Sequence, residues 1–201
     1  MKKAVSRDDI LDAALTLGSD LGWEKLTLHQ IARYLHISLA QIHREFPQKD
    51  DIVDAWLDQA DQEMLAQFPK HSSDVHVGDD HSPNSPLTTT ERLQLAMQSW
   101  LDALAPYHKL TGDMLLYKLE PGHFHLQAAG LLRISRTVQW FREAAELKAS
   151  HIQRIGQEIA LSSLFIGIFV YWLNDKSPNQ LNTRAQLQKA LRRGDRISLW
   201  T

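Results

Sequence analysis

TLHQIARYLHISLAQIHREFPQK, residues 27–49, holds two short apolar periods separated by a three-residue break. Leu28, Ile31, Ala32 and Leu35 recur at the spacing of one helical face, and Thr27 stands where an N-cap belongs. Ser38 takes the same place before the second period, whose inward residues are Ile42 and Phe46. His36-Ile37-Ser38 is left as the turn, with Ile37 inward, and Pro47 marks the far boundary. Two helices joined by so tight a turn cross steeply, and the crossing needs a small side chain, which Ala32 supplies. With Ile42 and Phe46 facing in, Gln41 and Arg44 face out. Such a helix-turn-helix reads double-stranded DNA, because its second helix lays polar side chains along base edges. Glutamine suits adenine and arginine suits guanine, each through paired hydrogen bonds.

Upstream, Ser6 and Asp9 resemble a capping box opening a helix with Ile10, Ala14, Leu17 and Leu21 on one face, and Gly22 stops it. Downstream, Asp50 and Asp51 open a longer helix where its dipole favours acid, with Val53, Trp56, Leu57, Ala60, Met64 and Phe68 as its apolar stripe. Residues 69–87, PKHSSDVHVGDDHSPNSPL, carry no apolar period and read as a linker or surface loop. His71, His76 and His81 lie there and read as solvated side chains rather than a metal set. Thr88 and Glu91 form a capping box for a helix that Pro106 ends. Further helices are expected over about 109–119, 124–145 and 151–173, and a last one from the capping box of Thr183 and Gln186 to about 193, stopped by Gly194. The expected fold is all-α with about nine helices. Residues 1–50 form a three-helix domain, 51–68 a connecting helix, 69–87 a linker, and 88–201 a larger helical bundle for ligand binding and dimerisation.

The chain has 201 residues, 43% of them hydrophobic, enough to bury a sizeable core. It has no cysteine, which excludes disulfides and thiolate metal sites. The N-terminus carries charge and no apolar signal core, and the apolar run Ile159–Leu173 falls short of the roughly 20 residues of a spanning helix. A cytoplasmic protein without a membrane span is expected. No Gly-rich phosphate loop, nucleophile elbow or His-Glu-x-x-His pattern occurs. His123 and His125, two residues apart, do not share a helix face. No catalytic residue, metal site or cofactor is expected, and the chain is not read as an enzyme. Formal net charge is −2. Residues 1–68 hold seven basic side chains against twelve acidic ones, whereas 27–49 has Arg33, Arg44 and Lys49 against Glu45 alone. The acid belongs to the flanking helices, which leaves the motif locally positive.

From SRDDILDAALTL through LGW to LTLHQIARYLHISLAQIHREFPQKDDIVDAWL, residues 6 to about 60, the chain resembles the N-terminal domain of the TetR family of transcriptional regulators. The opening helix ending in a glycine and an aromatic, and the Phe-Pro-x-Lys link into the fourth helix, carry the likeness. His36 stands where the family usually has glycine, Leu39 where lysine is common, and His43 where a tyrosine commonly touches phosphate; Glu45 adds a charge that phosphate repels. The resemblance implies a homodimeric regulator of an operator, a repressor relieved when a small apolar or amphipathic effector alters the separation of the paired DNA-reading domains. Gln41 and Arg44 then read bases, Thr27, His43 and Lys49 hold phosphates, and Ser38 completes the DNA-binding set.

A second resemblance leads elsewhere. WLDQADQEMLAQF, residues 56–68, and VYWLNDKSPNQLNTRAQL, residues 170–187, are similar to segments of TetR-fold lipid-binding proteins of ubiquinone biosynthesis, which do not read DNA. For either reading, Trp100, Tyr117, Trp140, Phe165, Phe169 and Trp172 are candidates to line an apolar site between helices. The helix holding Ile159, Leu164, Phe165, Ile168 and Trp172 is apolar on nearly every side, so a second copy is expected to cover what one chain leaves bare. Ser162, Ser163 and Gly167 would permit close approach; the resemblance implies a twofold four-helix bundle, with the final helix, Leu187 and Leu191 inward, as the expected second member and the helix near Val138 as a further contributor.

Overall fold

The computed structural model describes residues 5–68, 87–118, 124–148 and 151–200, apart from the side chains of 117, 118, 124–131, 151 and 152. The three histidines of 69–87 and His123 fall outside the described residues, as does the side chain of His125. The elements are α1 (Arg7–Leu21), α2 (Leu28–Leu35), α3 (Leu39–Glu45), α4 (Lys49–Leu65), α5 (Thr89–Leu104), α6 (His108–Lys118), α7 (Phe124–Ala144), α8 (His151–Asn174) and α9 (Leu181–Arg196). No strand occurs among the described residues, so the all-α expectation holds. The caps read from sequence form where the partners lie three residues apart. Ser6 with Asp9, Thr27 with Gln30 and Ser38 with Gln41 each make a complete reciprocal box, and Thr88 with Glu91 makes another.

The chain divides into two compact units. One comprises Met1–Ala60 and Leu104–Arg133. Its core holds Ile10, Leu15, Trp23, Ile31, Ile42 and Phe46, all essentially inaccessible. Within this unit α6 packs on α1 at Gly18, where a Cβ would stand 3.0 Å from the Leu110 side chain. It also meets α4: the Trp56 indole N–H donates to Thr111 Oγ1 at 3.0 Å, and the Trp56 ring lies edge-on to Tyr107, in the turn just before α6, at 5.6 Å. Buried Arg133 pairs with Asp58 of α4 at 3.2 Å.

The other unit comprises Asp61–Ala103 and Ile134–Thr201. Trp100 is its hub, edge-on to Phe165 at 5.2 Å, to Phe169 at 5.3 Å and to Phe141 at 6.4 Å. Edge-to-face pairs of this kind contribute about 0.5–1.5 kcal/mol each beyond burial. The Trp100 indole N–H donates to the buried carboxylate of Asp61 at 2.8 Å, which also accepts from the Thr137 hydroxyl at 3.1 Å.

Two local readings change near the C-terminus. Thr183 does not cap its helix with Gln186. α9 begins at Leu181, and the Thr183 N–H and hydroxyl donate instead to Asp175, at 2.8 and 2.6 Å. The Asp175 carboxylate also accepts from the N–H and hydroxyl of Ser177 and so gathers four donors. Gly194 does not stop α9, which runs on to Arg196. Its role is clearance: a Cβ there would stand 2.6 Å from Cζ2 of Trp200, whose indole N–H reaches the Leu191 carbonyl at 2.9 Å.

α8 is longer than its apolar run, and by length and composition alone Gln153–Asn174 would span a membrane, at a mean hydropathy of 1.4. Its two faces differ, however. Leu161, Phe165, Ile168, Phe169 and Trp172 are buried within the unit, whereas Ile155, Ile159, Ile166, Val170 and Tyr171 are exposed. A core helix with one side uncovered accounts for this pattern.

Candidate nucleic-acid interface

The turn between α2 and α3 is built by backbone hydrogen bonding. The Ile37 N–H donates to the Ala32 carbonyl at 3.0 Å and the His36 N–H to the Arg33 carbonyl at 3.2 Å, the pattern of a Schellman stop. It places His36 at φ 54°, ψ 43°, in the left-handed region. Glycine enters that region without steric cost, and histidine is among the side chains that tolerate it. The missing glycine therefore does not abolish the turn.

α3 is oriented by its buried face, since Ile42 and Phe46 are inaccessible. It is also tied down at its end. The Arg7 guanidinium donates to the Glu45 carbonyl at 2.6 Å and lies 4.2 Å from the Phe46 ring centroid. One arginine of α1 thus satisfies an orphan carbonyl of α3 and stacks on its anchor. Nothing in the local pattern marks Arg7 for this, because the contact joins residues 38 apart.

Ser38, Gln41, His43 and Arg44 lie at the head or along the outer side of α3 and are exposed. The side chains of His43 and Arg44 make no hydrogen bond or ion pair among the described residues, so both are open to a ligand. Gln41 is not. Its Oε1 accepts from the Ser38 N–H at 2.9 Å and the Ser38 hydroxyl at 3.2 Å, while its own N–H donates to Ser38 Oγ at 3.3 Å. Thr27 is similarly engaged with Gln30 at the start of α2.

Lys49, at the start of α4, is only half-buried, yet its ammonium is turned onto the protein. It donates to the Trp23 carbonyl at 2.5 Å and lies 4.7 Å from the Trp23 ring centroid. Burial lowers its pKa from the ordinary lysine value, against the opposing pull of Asp50 and Glu24. Leu39, Ala40 and Tyr34 are exposed on the same helix pair; Leu39 was marked only as a departure from the family pattern, and Ala40 and Tyr34 not at all, since an isolated apolar or aromatic residue gives no period to read.

In the second unit, Trp100, Phe165, Phe169 and Trp172 come together in one buried stack. Trp140 does not join them and is 42% exposed. The Tyr117 side chain lies outside the described residues. A hollow of about 480 Å³ lies elsewhere in this unit, along α5 and α9, with a polar lining that includes Thr88, Gln94, Gln98, Gln188 and Arg192.

Residues 10–56 match the family model of bacterial regulatory proteins of the tetR family. Among solved structures, the TetR transcriptional regulator from Nitrosomonas europaea ATCC 19718 is 35% identical, with a TM-score of 0.77 over 94% of this chain and 97% of that one. A TetR transcriptional regulator from Rhodococcus sp. RHA1 shares the fold at 16% identity, with a TM-score of 0.62 over 91% of each chain. No curated protein sequence matches the chain.

Proposed function

Because the chain belongs to the TetR family of bacterial regulatory proteins, we propose that it binds a double-stranded operator as a homodimer and represses transcription until a small effector relieves it. The observation that carries the DNA reading is the outer side of α3. Arg44 and His43 are exposed and uncommitted, while Ile42 and Phe46 fix the opposite side in the core. Arg44 reads a guanine, and His43 takes a phosphate. Thr27 and Lys49 act at helix starts, where backbone N–H groups also favour phosphate, and Ser38 completes the DNA-binding set. The test is a salt-titrated binding assay on DNA upstream of the protein's own gene. Binding there should be tighter than on random duplex. Equal affinity for both, with lipid retained through native extraction, would replace this reading with a lipid carrier.

The uncovered face of α8 supports the dimer. Ile155, Ile159, Ile166 and Val170 lie along one side with Gly167 and Ser163, so a second α8 can approach closely. A twofold pair would present two α3 helices to successive major grooves. The effector is apolar or amphipathic and enters the second unit, where it must part the ring stack around Trp100. The protein acts in the cytoplasm, where its operator is.

A further inference from the structure

The first turn of α3 presents apolar side chains where a groove-reading helix needs something to say to the bases. Leu39 opens α3 and is 37% exposed, and Ala40 beside it is exposed too. Neither joins Ile42 and Phe46 in the core. The polar residue of that turn, Gln41, already spends its amide oxygen on Ser38. Recognition of adenine by glutamine uses both the amide oxygen and the NH2 group, so Gln41 reads adenine only after its capping box opens.

The N-terminal residues of a recognition helix are the ones that meet base edges. A leucine pressed on polar edges loses affinity unless it meets an apolar group, and the major-groove edges of the four bases offer one, the C5-methyl of thymine. We infer that Leu39, flanked by Ala40, is a specificity-determining residue that reads thymine methyl groups, so that each operator half-site carries thymine under the first turn of α3. The inference rests on the DNA-binding reading above and adds to it a base and an atom. The competing account, a scattered surface leucine with no role, predicts no dependence on any methyl group.

The test uses the intact chain to enrich duplexes from a random library. The best duplex is then remade with each thymine replaced in turn by deoxyuridine, which removes only the methyl group. At one or two positions in each half-site the exchange should weaken binding about fourfold, the worth of one buried methyl. Leu39→Ala, at an exposed position, should keep the parent's helicity and melting while losing the thymine–uridine difference at those positions. Leu39→Gln, of similar length but polar, should lose it as well. An enriched duplex in which every exchange is neutral overturns the inference, and so does a Leu39→Ala protein that still discriminates. Failure to enrich any duplex is a different result, which overturns the DNA-binding reading itself and this inference with it.

Discussion

Gln41 is held by Ser38 before it meets any base, with its Oε1 accepting from both the N–H and the hydroxyl of that residue. The pair therefore acts first on the stability of α3. Ser38→Ala removes the cap acceptor and should lower the unfolding free energy by about 1 kcal/mol in urea titrations. Gln41→Ala should cost less and leave the base preference set by Arg44 unchanged. A Gln41→Ala protein whose preference at one base pair relaxes as sharply as that of Arg44→Ala would show that the capping box opens on DNA.

Arg44 has no such commitment among the described residues. Arg44→Ala should lose about 1–3 kcal/mol of operator affinity and relax the preference at one base pair. Its melting temperature should match the parent's, because an exposed side chain without partners leaves nothing unsatisfied. Parent-like binding to every duplex would mean that this side of α3 does not face the groove.

For Lys49 the structure adds a stability effect to the expected phosphate contact. Lys49→Met keeps an apolar stem but loses the hydrogen bond to the Trp23 carbonyl and the charge over the Trp23 ring. The unfolding free energy should drop by about 1–2 kcal/mol. If the ammonium also reaches phosphate on the operator, the salt dependence of binding should fall by about one unit of slope. Undiminished stability in Lys49→Met would remove Trp23 as its partner in solution.

Asp175 predicts a pH dependence. Burial pushes its carboxyl up, but the hydrogen bonds from Ser177 and Thr183 outweigh that and hold it well below the ordinary value of 3.8. A depressed folded-state pKa contributes stability that is fully present above 3.8 and declines as pH falls below it. Asp175→Ala, which frees the donors at the head of α9, should cost about 2 kcal/mol near neutrality. The gap between parent and variant should be the same at pH 7 and pH 5 and narrow toward pH 3. A gap that stays constant down to pH 3 would show that the carboxylate charge does not matter.

The legible parts of this protein are those written within one helical turn. Ser6, Thr27, Ser38 and Thr88 find their partners three residues on, so caps and helix starts could be read directly. Ile42 and Phe46 were legible as inward because helical period fixes their side of α3. Contacts that join distant segments left no such mark. Arg7 meets Glu45 across the fold, and Asp61 takes the indole of Trp100 from another helix. Thr183 was read as a cap paired with Gln186, but the carboxylate of Asp175, eight residues upstream, takes its hydroxyl instead. Gly194 was read as a stop because glycine commonly is one, whereas the constraint comes from Trp200 folding back.

The uncovered side of α8, not its buried side, is where a substitution would report on assembly. Phe165 is apolar and on α8, but it is 1% exposed and stacked in the ring cluster. A charge there unfolds the unit and says nothing about assembly. Ile159, on the other side of the same helix, is 63% exposed. Around Gly167 nothing among the described residues lies within 4 Å of where a Cβ would stand. Substitutions at these two positions therefore disturb no packing among the described residues. Each isoleucine buried by a partner contributes about 1.5–3 kcal/mol, and a glutamate at the same place leaves an unpaired charge to be desolvated. Ile159→Glu should scatter light as a single chain at micromolar concentration where the parent scatters as two, with the parent's helicity retained. Gly167→Leu should have the same effect by preventing close approach of the helices. If the parent itself scatters as one chain there, α8 is covered in some other way, and the pairing of two half-sites loses its basis.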